Sequence, residues 1–180
     1  MEAAGEFGLT PATIARAAAG DHAAFARIVA EHHHDMVRVA YLVSGDADVA
    51  NDAAQSAWSI AWRKLGTLES DGRLRAWLVS IAANEARQSL RGRHRRAIRE
   101  IELDAVAETG PTGGRSRDES IDLMNALAGL APDDRGIVAM RYALGLTSEE
   151  IGRVTGLSAP GVRSRLARSL ARLRKELSDD

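Results

Sequence analysis

Aromatic side chains make up only 4% of this sequence, so a core has to be assembled from Ala, Leu, Val and Ile. Small side chains of that kind let helices approach closely and favour a helical fold over a sheet sandwich. A hydrophobic fraction of 45% suffices for such a core, and 180 residues leave room for one medium domain or two small ones. There is no cysteine, which excludes disulfides, iron–sulfur clusters, zinc–thiolate sites and a cysteine nucleophile. No run approaches the roughly 18 apolar residues of a membrane span. The opening residues show no basic stretch followed by an apolar one, so neither a signal peptide nor membrane insertion is expected, and the expected location is cytoplasmic.

Helix start and stop signals punctuate the chain. Thr10 is an N-cap residue ahead of Pro11, and Gly20 is a stop. Asp21 caps a second helix whose apolar positions Phe25, Ile28, Val29, Met36, Val39, Ala40 and Val43 recur at helical spacing. Ser44–Asp48 reads as a turn with a fresh cap, followed by a helix through Trp58 and Trp62 to about Leu65. Gly66–Gly72 reads as a loop. A fourth helix from about Leu74 carries Trp77, Leu78, Ile81 and Ala82 on one side and ends in Arg91–Arg96. Residues 100–117 are then rich in Glu, Asp, Gly, Thr and Pro, with Thr109–Gly114 at the centre, the composition of a flexible, mainly acidic linker. A second helical block follows. The expected fold is all-α, with two small helical domains, 1–99 and 118–180, joined by a flexible linker over 100–117.

The strongest local pattern is Thr147–Leu177. Thr147 or Ser148 followed by Glu149 and Glu150 starts a helix in capping-box style, and Gly156 stops it. Ser158 caps the next helix, with Pro160 in its first turn, where a missing N–H costs little. Ile151, Val154, Leu157, Val162 and Leu166 can close a small core between the two. A short helix, a Gly-containing turn and a longer helix make a helix-turn-helix. Arg163, Arg165, Arg168, Arg172, Arg174 and Lys175 lie along the second helix with no acidic residue between them. A helix in the major groove offers its N-terminal residues to base edges and its flanks to phosphates, which suits Arg163, Ser164 and Arg168 to bases and Arg165 to phosphate.

The net charge is −1, with Lys64 and Lys175 the only lysines among 24 basic residues. GC-rich codon usage would give the same arginine excess, so position carries the argument. Arg87, Arg91, Arg93, Arg95, Arg96 and Arg99, with His94, form a second cluster opposed nearby only by Glu85. Cations complement a helix C-terminus, but a cluster this dense exceeds what a cap needs and points to phosphates. Trp58, Trp62 and Trp77 could stack on exposed bases, though their spacing and apolar neighbours assign them mainly to the core. His32–His34 is no metal site, because consecutive helical residues point apart. Nothing resembles a phosphate loop or a nucleophile motif, so an enzyme is not expected. A stand-alone helix-turn-helix regulator would account for the C-terminal pattern but leave Arg91–Arg99 unexplained.

In order and spacing the whole chain, from about Asp21 to Leu177, resembles an extracytoplasmic-function sigma factor of the sigma-70 family. Gly45–Leu65 is similar to the family helix that binds the β′ clamp helices of core RNA polymerase, with Asp52, Gln55, Trp58 and Trp62 matching its motif. Leu74–Arg96 resembles the helix that engages the −10 promoter element; Arg75, Ala76, Trp77, Leu78, Ile81, Ala82 and Asn84 match, and the basic Arg87 and Arg91 follow on. The loop Gly66–Gly72 corresponds to the place where the family captures a flipped base. Leu127–Leu166 matches the −35-reading domain, and the resemblance puts Arg163, Ser164 and Arg168 at the −35 bases. It implies promoter-directed transcription initiation, core polymerase, promoter DNA and an anti-sigma factor as partners, and no cofactor, no resident metal and no catalysis.

Overall fold

The computed structural model describes residues 9–68, 73–103 and 119–178. Among them are eight α-helices, one 3-10 turn and no strand. The first four helices are α1 (Pro11–Ala18), α2 (His22–Ser44), α3 (Ala47–Lys64) and α4 (Leu74–Leu103), with the 3-10 turn at Leu65–Thr67. The last four are α5 (Glu119–Ala128), α6 (Pro132–Tyr142), α7 (Ser148–Thr155) and α8 (Ala159–Ser178).

The helices start where the cap residues stand. Thr10 Oγ1 accepts from the Thr13 amide at 3.2 Å, Asp21 Oδ1 from Ala24 at 3.0 Å, and Asp46 Oδ1 from Val49 at 3.0 Å. Each satisfies one of the orphan donors of a first turn. The amide of Val49, and then the Arg93 guanidinium, hold the Asp46 carboxyl below its ordinary range. Gly45 closes α2 in the left-handed region.

One predicted boundary differs. The fourth helix was expected to end near Arg96 but continues to Leu103, into the first residues of the expected linker. The reason is visible in the stretch Arg99–Leu103, which contains no Gly or Pro and consists of tolerant helix formers. The rest of the expected linker, 104–117, lies outside the described residues, as do 69–72 of the expected loop and the side chains of His94, Arg95, Arg96 and Arg99.

The alanine-rich core forms as the composition requires. Along α3, Ala50, Ala53, Ala54, Ala57 and Ala61 are buried at i, i+3, i+4 spacing, and α4 answers with Ala82, Ala83 and Ala86. Methyl groups on both sides let the two helices pack closely. Ile28, Met36, Val39, Val43, Leu78 and Val79 fill the space beside them. Truncating the fully buried Leu78 to Ala would cost about 2–5 kcal/mol.

α2 is the hub: α1, α3 and α4 pack on it, and so does α6. α4 also touches α6 and α7. The two helical domains therefore meet along a seam, and their buried residues form one continuous apolar cluster. Gly136 of α6 sits in that seam; a Cβ there would stand 3.6 Å from Arg87 Nη1 and 3.7 Å from Val43 Cγ2.

Candidate nucleic-acid and polymerase interface

The C-terminal recognition element is built as its residues suggest. Thr147 and Glu150 close a capping box: the Glu150 amide donates to Thr147 Oγ1 at 3.2 Å, and the Thr147 amide donates to Glu150 Oε2 at 2.7 Å. That second bond is the main reason the Glu150 carboxyl sits below its ordinary range. Gly156 ends α7 at φ 74°, a left-handed conformation that favours glycine. Gly152 is a second requirement that the sequence did not announce. A Cβ at this position would lie 2.6 Å from the Leu157 carbonyl oxygen, so only hydrogen fits where the turn folds back. The Leu157 amide in turn donates to the Gly152 carbonyl at 3.1 Å. Ser158 Oγ then caps α8 by accepting from the Gly161 amide at 3.2 Å.

Ile151 and Val162 are fully buried between α7 and α8, Leu166 is buried, and Val154 and Leu157 pack against them. Burial at Val162, Leu166, Ser169 and Leu173 leaves the opposite face of α8 to solvent. Arg163, Ser164 and Arg168 are on that exposed face. Arg163 Nη1 lies 3.7 Å from Glu149 Oε1, with both side chains more than half exposed. Such a pair is worth little and yields easily to a phosphate or a base. Arg168 has no partner among the described residues. Arg165 is half-buried and lies 3.5 Å from Asp134 of α6.

The four α4 residues do not share one face. Asn84, Arg87 and Arg91 are about one turn apart, whereas Arg75 and Asn84 are about two and a half turns apart and point to opposite sides. Asn84, Arg87 and Arg91 line a cleft of about 240 Å³ together with Asp133 of α6 and Arg165 of α8. Arg87 Nη1 is bonded to Asp133 Oδ1 at 3.1 Å. Arg75 Nε donates to Asp35 Oδ2 of α2 at 2.7 Å, and its Nη1 donates to the Leu144 carbonyl at 2.9 Å. Arg91 has no partner among the described residues. Thus Arg75 and Arg87 reach across the seam to the C-terminal domain. Their partners Asp35, Asp133 and Leu144 carried no signal in the sequence. Asp133 and Asp134 follow Pro132 in the first turn of α6, where they also complement the helix dipole.

On α3 the alanine stripe turns Asn51, Asp52, Gln55, Ser56 and Ser59 outward. Asp52 and Gln55 are exposed, and Trp58 is half-buried. Trp58 Nε1 donates to His33 Nδ1 at 3.1 Å, and its ring meets Phe25 edge-on at 5.7 Å. Trp62 is also half-buried, against Phe25 and the stacked His22 ring, and Trp77 is half-buried beside the core. The tryptophans therefore border the core rather than fill it.

Two family models match the chain, Sigma-70 region 2 over residues 28–96 and Sigma-70, region 4 over residues 120–173. The sequence is 29% identical over 168 residues to "Probable RNA polymerase sigma factor RfaY" of Xanthomonas campestris pv. campestris, covering 89% of this chain and 42% of that longer protein. It is 30% identical over 165 residues to "RNA polymerase sigma factor NccH" of Alcaligenes xylosoxydans xylosoxydans, covering 88% and 89%. "RNA polymerase sigma factor CnrH" of Cupriavidus metallidurans is 28% identical over 177 residues, covering 92% and 93%. The solved structure of CnrH in complex with the cytosolic domain of CnrY superimposes with a TM-score of 0.73, covering 96% of this chain and 99% of that one at 26% identity. Two Sigma-70 regions in family order, on an all-α frame shared with CnrH, make this chain a member of the extracytoplasmic-function sigma factors of the sigma-70 family.

Proposed function

We propose that this chain is an RNA polymerase sigma factor that binds core polymerase and directs initiation at promoters with a −10 and a −35 element. The observation that carries this reading is the helix-turn-helix: a capping box, a turn that admits only glycine at Gly152, and an exposed arginine face on α8. In this reading Arg163, Ser164 and Arg168 meet −35 bases and Arg165 meets phosphate. Arg75, Asn84, Arg87 and Arg91 engage −10 DNA. Asp52 and Gln55, with Trp58 behind them, contact the β′ clamp helices. Residues 1–99 form the polymerase-binding and −10 domain, 118–180 the −35 domain, and 100–117 the tether between them. Two weakly binding modules so joined gain affinity through effective concentration.

The chain acts without catalysis or a cofactor, in the cytoplasm, where core polymerase and promoters are; none of the described helices is long and apolar enough to cross a membrane. An anti-sigma factor holds it inactive. CnrH, solved with the cytosolic domain of CnrY, supports that partner class. The test is run-off transcription with core polymerase and sequenced start sites. Transcripts from two-element promoters are expected, and Asp52→Ala with Gln55→Ala should weaken core binding while leaving the helical content unchanged. No transcript on any genomic template, together with tight operator binding in the absence of polymerase, would instead make the chain a stand-alone regulator.

A further inference from the structure

The cleft of about 240 Å³ gathers arginines from both domains, Arg87 and Arg91 of α4 and Arg165 of α8. Asn84 joins them, with the apolar Ile137 of α6 and Leu157 of the turn after α7. Among the described residues of the lining Asp133 is the one carboxylate, and Asp134 stands 3.5 Å from Arg165. Three guanidinium charges thus meet two carboxylates, and the balance is positive. The carboxylates also leave most of the donors unused. A guanidinium carries five N–H groups in a fixed fork, and Asp133 engages one nitrogen of Arg87, whose side chain is only 14% exposed. The contact of Arg165 with Asp134 is at the long limit of a hydrogen bond. Neither Arg91 nor the Asn84 amide has a partner among the described residues.

Planar forks of this kind match phosphate oxygens two at a time, and several forks around one space suit an anion with many oxygens. At about 30 Å³ per water, the cleft has room for about eight waters, close to the heavy-atom count of a diphosphate. A nucleoside would have to lie outside it.

We propose that this cleft is a binding site for a diphosphate group, held by Arg87 and Arg91 from one domain and Arg165 from the other. The Asn84 amide donates a further hydrogen bond. Because its partners stand on α4 and α8, the bound anion ties the N-terminal domain to the C-terminal one, which a DNA backbone running along α4 alone would not do. On the proposed function it also withdraws Arg87, Arg91 and Arg165 from promoter phosphates, so the free chain holds DNA more weakly while the cleft is filled.

The test is isothermal titration calorimetry of the full chain with inorganic pyrophosphate, the ionic strength being held constant with chloride. Saturable binding of one anion per chain is expected, with sulfate at least tenfold weaker. Arg91→Gln and Arg165→Gln, one in each domain, should each weaken pyrophosphate binding at least tenfold. Arg168→Gln, on the exposed face of α8 and outside the cleft, should leave it within twofold. Should Arg165→Gln fail to fold, Arg165→Lys, which keeps the charge and loses the fork, should weaken binding at least threefold. Unchanged binding in the Arg165 variant puts the anion on α4 alone and overturns the bridge. Equal weakening by Arg168→Gln, or binding that never saturates, marks diffuse attraction to a cationic surface and overturns the site. ADP titrated in parallel separates a free diphosphate from a nucleotide: equal affinity is expected, and ADP bound tenfold tighter would overturn recognition of the phosphates alone. Calorimetry reads the cleft whether or not the chain initiates transcription, so failure here is distinct from failure of the sigma-factor reading.

Discussion

Asp35→Asn combined with Asp133→Asn should make the free chain bind promoter DNA more tightly. In the structure Asp35 holds Arg75 at 2.7 Å and Asp133 holds Arg87 at 3.1 Å, and both arginines belong to the proposed −10 surface. DNA must displace these carboxylates before it can use the arginines. The Asp133 side chain is 60% exposed, so its pair is worth a few tenths of a kcal/mol up to about 1. The Asp35 side chain is 20% exposed, which places its pair near the upper end of that range. The two pairs share no partner, so their contributions add to about 1–2 kcal/mol. At about 1.4 kcal/mol per factor of ten, the double variant should bind about 5–30 times more tightly. Removing negative charge anywhere raises affinity for DNA, so the comparison is with Asp48→Asn plus Asp122→Asn, two exposed carboxylates away from the seam. Fluorescence anisotropy on a labelled promoter duplex at low salt reads the difference, and it should shrink as salt screens the pairs. An affinity no higher than that of the control pair would show that the carboxylates do not compete with DNA.

Three further outcomes follow from single residues. Gly152→Ala forces a methyl group against the Leu157 carbonyl and should cost about 1–3 kcal/mol; thermal melts should fall and −35 binding weaken, and an unshifted melt would refute the close approach. Arg163→Ala, freed of only a weak pair with Glu149, should reduce discrimination between −35 sequences by about 1–3 kcal/mol, whereas equal losses on all sequences would demote it to a phosphate contact. The His32 imidazole is pushed below its ordinary value of 6.5, chiefly by burial, with Glu31 and Asp35 opposing and Arg75 reinforcing the shift. The unfolded chain then binds more protons than the native one, so stability should fall as pH drops below 6.5 toward the native pKa, and His32→Gln should flatten that slope in melts across the range.

What could be seen in the sequence depended on distance along the chain. Thr10, Asp21, Thr147 with Glu150, and Ser158 cap groups only three residues away, so their chemistry is written locally. The alanine stripe of α3 is equally plain, because burial repeats every turn. The end of α4 was harder: the basic run invited a stop near Arg96, but nothing up to Leu103 breaks a helix. The seam was not legible at all. Arg75 and Arg87 find partners 40 and 46 residues away, and only the docking of α4 against α2 and α6 brings them together. Gly152 shows the same limit over five residues, since its role depends on where the backbone of Leu157 returns. The division of α4 into two faces was available from helix arithmetic, but a motif read as a line conceals it.

Three carboxylates pair with arginines of the proposed DNA surface, Asp35 with Arg75, Asp133 with Arg87 and Asp134 with Arg165. On the proposed DNA contacts of these arginines, Asp35, Asp133 and Asp134 compete with phosphates for them in the free chain. Such internal competition subtracts a similar free energy from every DNA complex that needs Arg75 and Arg87. It does not sharpen the ratio between right and wrong sequences. Its effect is on absolute affinity, and non-specific binding, which is nearly all phosphate contact, starts from the weaker level. The exposed Asp52–Gln55 face of α3 lies outside these pairs, so the proposed docking of core polymerase there leaves them undisturbed. Only the Arg87–Asp133 and Arg75–Leu144 bonds cross between the two domains, so a polymerase that held the domains apart would release these two and leave Asp35–Arg75 and Asp134–Arg165 in place. On the proposed function, promoter affinity then becomes partly conditional on polymerase, because opening frees Arg87 from Asp133 and Arg75 from the Leu144 carbonyl.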